Sequence, residues 1–399
     1  MTADENAKQM RRFLLIAGIV LVAFNLRPAI TSVGPLMGII RDDLALSNWS
    51  VGILTSLPLI AFAVMSPLAP RLGNRFTYER TMIAGLILLL FGIAVRSIPV
   101  LALLFVGTLF VGLGIAICNV LLPGVVKDKF PAKVALMTSV YSTAMGIFAA
   151  TASGVSIPLA RGVDLGWELG LAVWTAPTVI AIIVWIILAR KEKTEGDVEL
   201  KYVSVSDNRM WMSPLAWQVA CFMGLQSFLF YVTVSWLPEI LHGNGMTMAT
   251  AGWMLSFTQF VGLPSSFFAP IIAGRFKSQS GTVFVLALFA IGGYSGLLFG
   301  SSFGVMVLST VLIGIAMSGL FALSLTMLGL RARNARQSGE LSGMAQSIGY
   351  LLAAVGPMFI GFLYDLTHAW TVPLLTIIGV ALLVMTFGML AGRDRYVLD

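Results

Sequence analysis

The sequence predicts an all-α integral membrane protein with twelve transmembrane helices in two six-helix pseudo-repeats. Three observations predict it. Of 399 residues, 58% are hydrophobic and 11% charged, where an average soluble domain carries about 25% charged residues. The apolar residues gather into twelve runs, each long enough to cross a ~30 Å hydrocarbon core as a helix. Lys and Arg collect at alternate ends of those runs, which is a membrane-topology pattern.

The runs cover roughly 13–38, 50–70, 81–98, 101–125, 134–160, 167–189, 214–238, 248–273, 281–299, 303–329, 341–364 and 370–390. No water reaches the backbone in a bilayer core, so each run must satisfy its own N–H and C=O groups as a helix. The glycines and prolines inside them serve as close-packing points and kinks. Residues 1–12 are polar, and the first run is too long for a cleaved leader with no small-residue cleavage site after it. Segment 1 is therefore read as retained.

With the N-terminus inside, only Arg41, Arg96 and Arg161 fall in outer loops, and Arg27 falls within a segment; the other Lys and Arg sit at inner ends or in inner loops. Both termini are then cytoplasmic. Asp42, Asp43, Asp164, Glu168, Glu239 and Asp365 lie at outer ends with His242 and His368, and the remaining carboxylates are cytoplasmic. On this reading the membrane interior holds one cation, Arg27, and no carboxylate. The pI near 9.6 does not indicate nucleic acid, because the basic residues punctuate run ends instead of forming one patch. Cys118 and Cys221 both lie in apolar runs and predict no disulfide framework.

An internal repeat divides the chain. Gly52, Ser56, Pro70, Arg75 and Phe76 match Gly252, Ser256, Pro270, Arg275 and Phe276 at an offset of 200. Ser139, Gly146, Ile157 and Pro35 match Ser342, Gly349, Ile360 and Pro238 at an offset of 203. The predicted organisation is a six-helix bundle over 1–189, a net-neutral polar cytoplasmic linker over 190–213 and a second bundle over 214–399. Two parallel six-helix halves are a transporter pattern.

Leu26-Arg27-Pro28 with Thr31-Ser32-Val33-Gly34-Pro35, Gly52-Ile53-Leu54-Thr55-Ser56-Leu57-Pro58 and Asn119-Val120-Leu121-Leu122-Pro123-Gly124 stand in the first half. Ser213-Pro214-Leu215-Ala216-Trp217-Gln218 and Leu341–Leu351 stand in the second. On these stretches the chain resembles the major facilitator superfamily over essentially its whole length, and within it the bacterial cyanate and nitroimidazole transporter family. The resemblance implies the major facilitator fold, a bacterial cytoplasmic membrane location, a small-molecule substrate and a monomer. The superfamily's loop motif, Gly-x-x-x-Asp-Arg-x-Gly-Arg-Arg, reads here as Ser66 to Arg75. Arg71, Gly73 and Arg75 remain, but Pro70 replaces the acidic residue, so the usual inter-helix charge contact is replaced or missing.

The polar residues at mid-depth form the candidate site. Arg27 lies fourteen residues into segment 1, ~20 Å along a helix at ~1.5 Å per residue. A guanidinium at that depth needs a partner, and its planar fork suits an anion. Either it binds a ligand or it bonds carbonyls of a broken neighbouring helix. Thr31 is one turn on and shares its face. Asn119, Tyr141, Gln226, Tyr231, Gln259, Gln346 and Tyr350 complete the set, each either a ligand contact or a helix–helix hydrogen bond. Gln259, a lone amide among Phe257, Phe260 and Leu263, is expected to face the interior. Trp236 is expected in an interfacial belt.

No metal-ligand cluster, nucleophile–base pair or phosphate-cradling loop appears. The chain is therefore read as neither an enzyme nor a cofactor protein. The expected activity is secondary transport of a small polar or anionic solute, a cyanate-like anion or a nitroimidazole-like nitro compound, by alternating access. Two alternatives stay open: efflux of neutral drugs with Arg27 structural, and a non-transporting sensor on the same fold.

Overall fold

The structure is a computed structural model and describes residues 3–33, 36, 39–40, 43–44, 48–162, 166–194, 209–300 and 302–398. Gly34, Pro35, Arg41, Asp42, Asp164 and linker residues 195–208 of the sequence reading lie outside the described residues. Among the described residues every regular element is helical. In order these are α1 (Ala3–Leu26), α2 (Pro28–Thr31), α3 (Asn48–Met65), α4 (Leu68–Phe76), α5 (Tyr78–Arg96) and α6 (Leu101–Lys129). Next come α7 (Val134–Ile157), α8 (Gly166–Ala172), α9 (Thr175–Thr194) and α10 (Arg209–Met212). The last six are α11 (Pro214–Gly243), α12 (Met248–Gly274), α13 (Ser280–Phe299), α14 (Phe303–Leu330), α15 (Ala335–Thr367) and α16 (Thr371–Ala391).

Eleven described helical stretches are long and apolar enough to cross a membrane. They coincide with all the predicted segments but the second, which is the 18-residue α3. Segment 1 is interrupted at Arg27, between α1 and α2, next to Pro28.

By packing, the chain forms two units, residues 1–122 with 147–206, and 123–146 with 207–399. The end of α6 and the first half of α7 thus pack with the later helices. In the first unit α9 packs against both α1 and α5. Trp185 Nε1 donates to the Gly18 carbonyl at 3.1 Å. Asn25 Nδ2 donates to the carbonyls of Leu21 and Pro177 at 2.7 and 3.3 Å, and its Oδ1 accepts from Thr178 Oγ1 at 2.8 Å. A buried amide is tolerated because both ends are satisfied.

Helices α5 and α6 meet along a glycine seam. A Cβ on Gly92 would stand 2.5 Å from the Val111 nitrogen, and one on Gly107 would run into the Arg96 nitrogen. Backbones this close need a residue without a side chain.

In the second unit α11 packs along α15, and α12 along α14. Gly224 faces Gly349 across the first pair, and a Cβ on Gly224 would lie 3.2 Å from the Gly349 Cα. Pro270 has no N–H to offer the carbonyl one turn back, that of Ser266. Ser142 Oγ from α7 donates to it at 3.4 Å, and Thr143 Oγ1 lies 3.2 Å from Ser266 Oγ. Ser139 Oγ donates to the Phe267 carbonyl.

One end of this unit is closed by the C-terminal tail. The Gly392 carbonyl accepts from the Gln279 N–H at 2.7 Å, Ser278 Oγ at 3.0 Å and Arg331 Nη2 at 3.4 Å. The Val397 N–H donates to the Arg331 carbonyl at 3.0 Å. Burial lowers the Arg331 pKa, while neighbouring Asp394 and Tyr396 pull it back up.

Candidate functional site

Arg27 sits where the first helix stops and restarts. Pro28 has no N–H to donate to a carbonyl one turn back, and Arg27, at φ −113° and ψ −44°, keeps right-handed helical backbone while forming the turn between α1 and α2. Its carbonyl accepts the Ile30 and Thr31 N–H groups, each at 2.9 Å, and Thr31 Oγ1 lies 3.2 Å away. The same hydroxyl lies 3.2 Å from the Ala149 carbonyl, tying α2 to the second half of α7. The Arg27 side chain is half-buried. Arg27 and Thr31 therefore share one turn, as the sequence predicted, but the threonine hydroxyl is already engaged with backbone.

Arg96 corrects the sequence reading. It is not an outer-loop residue: it ends α5 and is only 1% exposed. Its Nη1 donates to the Ala29 carbonyl in the short helix directly after Arg27, at 2.5 Å. Its Nε and Nη2 make no hydrogen bond among the described residues. The protein interior thus holds a second guanidinium, two residues from the Arg27 break. A cation at the end of a helix complements the partial negative charge of its last carbonyls. One signal was present in the sequence: Arg96 follows an unbroken apolar run and only four residues separate α5 from α6. Composition alone does not say that the helix's last residue turns inward.

Asn119 is buried on α6, in the first unit. The other candidates lie in the second unit. Gln226 on α11 and Gln346 on α15 are both fully buried. Gln226 Nε2 donates to Ser227 Oγ at 2.9 Å, and its Oε1 has no hydrogen-bond partner among the described residues. Gln346 Nε2 donates to Ser342 Oγ at 2.8 Å, one turn earlier on its own helix. The Gly224–Gly349 approach sets these two amides on directly apposed helices. Tyr350 is buried one turn after Gln346, and Tyr141 is fully buried on α7. Tyr231 is half-buried, edge-on to Phe230 with ring centroids 5.3 Å apart.

Gln259 departs from expectation. It is exposed on α12, between exposed Phe257 and Phe260. Thr258, the residue before it, is the one that turns inward, and Ser256, Thr258 and Gln259 spread around the helix instead of marking one polar stripe to set its rotation. Trp236 Nε1 donates to the Pro357 carbonyl at 2.8 Å, joining α11 to α15.

In the loop motif, Arg71 and Arg75 are exposed and the Arg75 guanidinium lies 5.2 Å from the Phe76 ring centroid. Gly73 is buried, and a Cβ there would stand 3.0 Å from Leu121 Cδ2. Pro70 is buried as well. Thr77 then turns the chain at φ +78°, ψ 152°.

The described residues contain no group of three His, Cys, Asp or Glu side chains able to hold a metal. Membrane-spanning helices in two units, with a guanidinium at a helix break and buried amides on apposed helices, define a polytopic transporter scaffold. The chain belongs to the Major Facilitator Superfamily, whose profile matches residues 15–285 and 219–397. It is 48% identical to an uncharacterised transporter of Bacillus subtilis (strain 168), over 98% of this chain and 96% of that one. It is 39% identical to the 2-nitroimidazole transporter of Escherichia coli (strain K12), over 99% of both. It is 23% identical to the cyanate transport protein CynX of the same organism, over 92% of this chain and 96% of that one. Among solved structures, the proton:xylose symporter XylE superposes with a TM-score of 0.74, covering 98% of this chain and 97% of that one at 14% identity. The chain is thus a membrane transporter of small solutes and not an enzyme, and the family resemblance read from its motifs holds.

Proposed function

We propose that this protein is a secondary transporter that moves a compact polar or anionic solute through the bacterial cytoplasmic membrane by alternating access, with Arg27 as the ligand anchor. The preferred solutes are a nitro compound of the 2-nitroimidazole type or a cyanate-like anion. The observation that carries this reading is the break in the first helix, which puts the half-buried Arg27 between α1 and α2. Discontinuous helices are where transporters of this kind expose binding groups. The names of the two Escherichia coli relatives support the substrate class.

In this reading the guanidinium meets the two oxygens of a nitro group or the charge of a small anion, as its fork allows. Gln226, Gln346 and Asn119 supply neutral donors and acceptors, and Tyr141, Tyr231 and Tyr350 supply aromatic walls. Arg71, Gly73 and Arg75 belong to the loop that shifts with conformation, where Pro70 precludes the usual charge contact. Both termini are cytoplasmic and the protein works as a monomer. Moving one negative charge into a negative-inside cell costs ~2.3 kcal/mol per 100 mV. The transport mode is therefore anion exchange, export, or entry of a weak acid with its own proton.

The test is flux in proteoliposomes of purified protein with 2-nitroimidazole and cyanate. Saturable, competing flux of these solutes supports the proposal. Binding without flux would indicate a sensor, and flux only of bulky neutral drugs would indicate the efflux reading.

A further inference from the structure

The second unit carries a surface groove of about 670 Å³ between α12, α13 and α14. Val261, Pro264, Phe268 and Ile272 line it along α12, and Phe276 lines it just past the end of that helix. The spacing of three or four residues places the first four on one stripe of α12. From Val261 to Ile272 the stripe rises ~16 Å at ~1.5 Å per residue. Half of a ~30 Å hydrocarbon core is ~15 Å deep, so the groove runs the depth of one leaflet and reaches the interface.

At its interfacial end, Phe276 and Ser278 line the groove and alternate in sequence with Arg275 and Lys277. All four are exposed. No Asp or Glu occurs between Glu239 and Glu340, so α12, α13 and α14 contribute no carboxylate. Asp394, on the tail packed at this end, interacts with Arg331. Gly281, at the start of α13, leaves the groove mouth open, with nothing within 4 Å of where its Cβ would stand.

We infer that this groove is a binding site for one anionic phospholipid, an acyl chain lying along the α12 stripe and the headgroup phosphate held by Arg275 and Lys277. The apolar length matches a leaflet, and the cations stand only at the end where a phosphate would lie. A zwitterionic lipid fits the same channel but lacks the net negative charge that the two cations favour, so the site selects by headgroup. Basic residues at the interface attract anionic lipid strongly enough for such selection.

The experiment is thermal stability of the purified full chain in mild detergent, titrated with dioleoyl phosphatidylglycerol or dioleoyl phosphatidylcholine. Wild type is expected to be stabilised at lower phosphatidylglycerol than phosphatidylcholine concentration. In the double variant Arg275→Ala, Lys277→Ala the half-saturating phosphatidylglycerol concentration should rise about 10- to 30-fold, to meet that of phosphatidylcholine. A Cβ at Gly281 meets nothing within 4 Å and leucine improves the first turn of α13, so Gly281→Leu is expected to fold and should weaken the response to both lipids. Equal stabilisation of wild type by the two lipids would mean ordinary annular lipid and overturn the inference. So would a Gly281→Leu protein that responds to phosphatidylglycerol as wild type does.

Discussion

The Nη1 of Arg96 donates to the backbone carbonyl of Ala29, so the last residue of α5 holds the turn in which Arg27 breaks the first helix. Burying a guanidinium is costly unless its donors are used, and Nε and Nη2 are not used among the described residues. That cost is retained for one contact, which points to positioning. We predict that Arg96→Met lowers flux by about 10- to 100-fold, the scale of a ~1 Å misplacement at a binding group. Arg96→Lys, which keeps one donor, should retain a measurable fraction. Proteoliposome flux normalised to folded protein checks this, and an Arg96→Met protein with wild-type flux would rule out the positioning role.

The glycine seam behind Arg96 makes a second prediction. Gly107→Ala puts a methyl group against the Arg96 backbone, which cannot yield as a flexible side chain would. Overpacking of this kind costs about 1–3 kcal/mol. A thermal-unfolding series should show a clear drop for Gly107→Ala and none for Gly304→Ala, where a Cβ meets nothing within 4 Å. Equal melting temperatures would contradict the close approach of α5 and α6.

Thr77 supplies a third. Its φ of +78° with ψ of 152° lies in a region almost reserved for glycine. Thr77→Gly should relieve about 1–3 kcal/mol of strain, while losing the weak cap on the Arg80 N–H costs only a few tenths. The variant is expected to melt a few degrees higher. A lower melting temperature would show that the threonine side chain matters more than its backbone.

Much of this architecture was legible in the sequence because the bilayer imposes a hard rule on length and polarity. The helical segments follow from that rule, and the interruption at Arg27 follows from Pro28. The fates of Arg96 and Gln259 were not legible. Arg96 ends an apolar run, and whether a terminal arginine turns out to water or inward depends on Gly107 and Ala29 in other segments. Gln259 stands beside Thr258, and which of these two adjacent polar residues turns inward is set by packing of α12 on α14. The buried amides Gln226 and Gln346 were recognisable as inward-facing, but their apposition depends on Gly224 meeting Gly349.

Orientation is a fourth prediction. In a Cys118→Ser, Cys221→Ser background, Lys277→Cys should be protected from a membrane-impermeant maleimide in intact cells, and His368→Cys should be labelled. The charge distribution requires this pattern, and the opposite labelling would invert the topology.

Whether Arg27 anchors the ligand is tested most directly by ligand-induced thermal stabilisation, because a ligand bound to the native state raises apparent stability. Detergent-purified wild type, Arg27→Ala and Arg27→Lys would be titrated with 2-nitroimidazole, cyanate and neutral drugs. If Arg27 is the anchor, 2-nitroimidazole or cyanate stabilises wild type, does not stabilise a folded Arg27→Ala protein, and stabilises Arg27→Lys only weakly. An Arg27→Ala protein that responds to every wild-type ligand equally well would contradict that role and make Arg27 a structural residue.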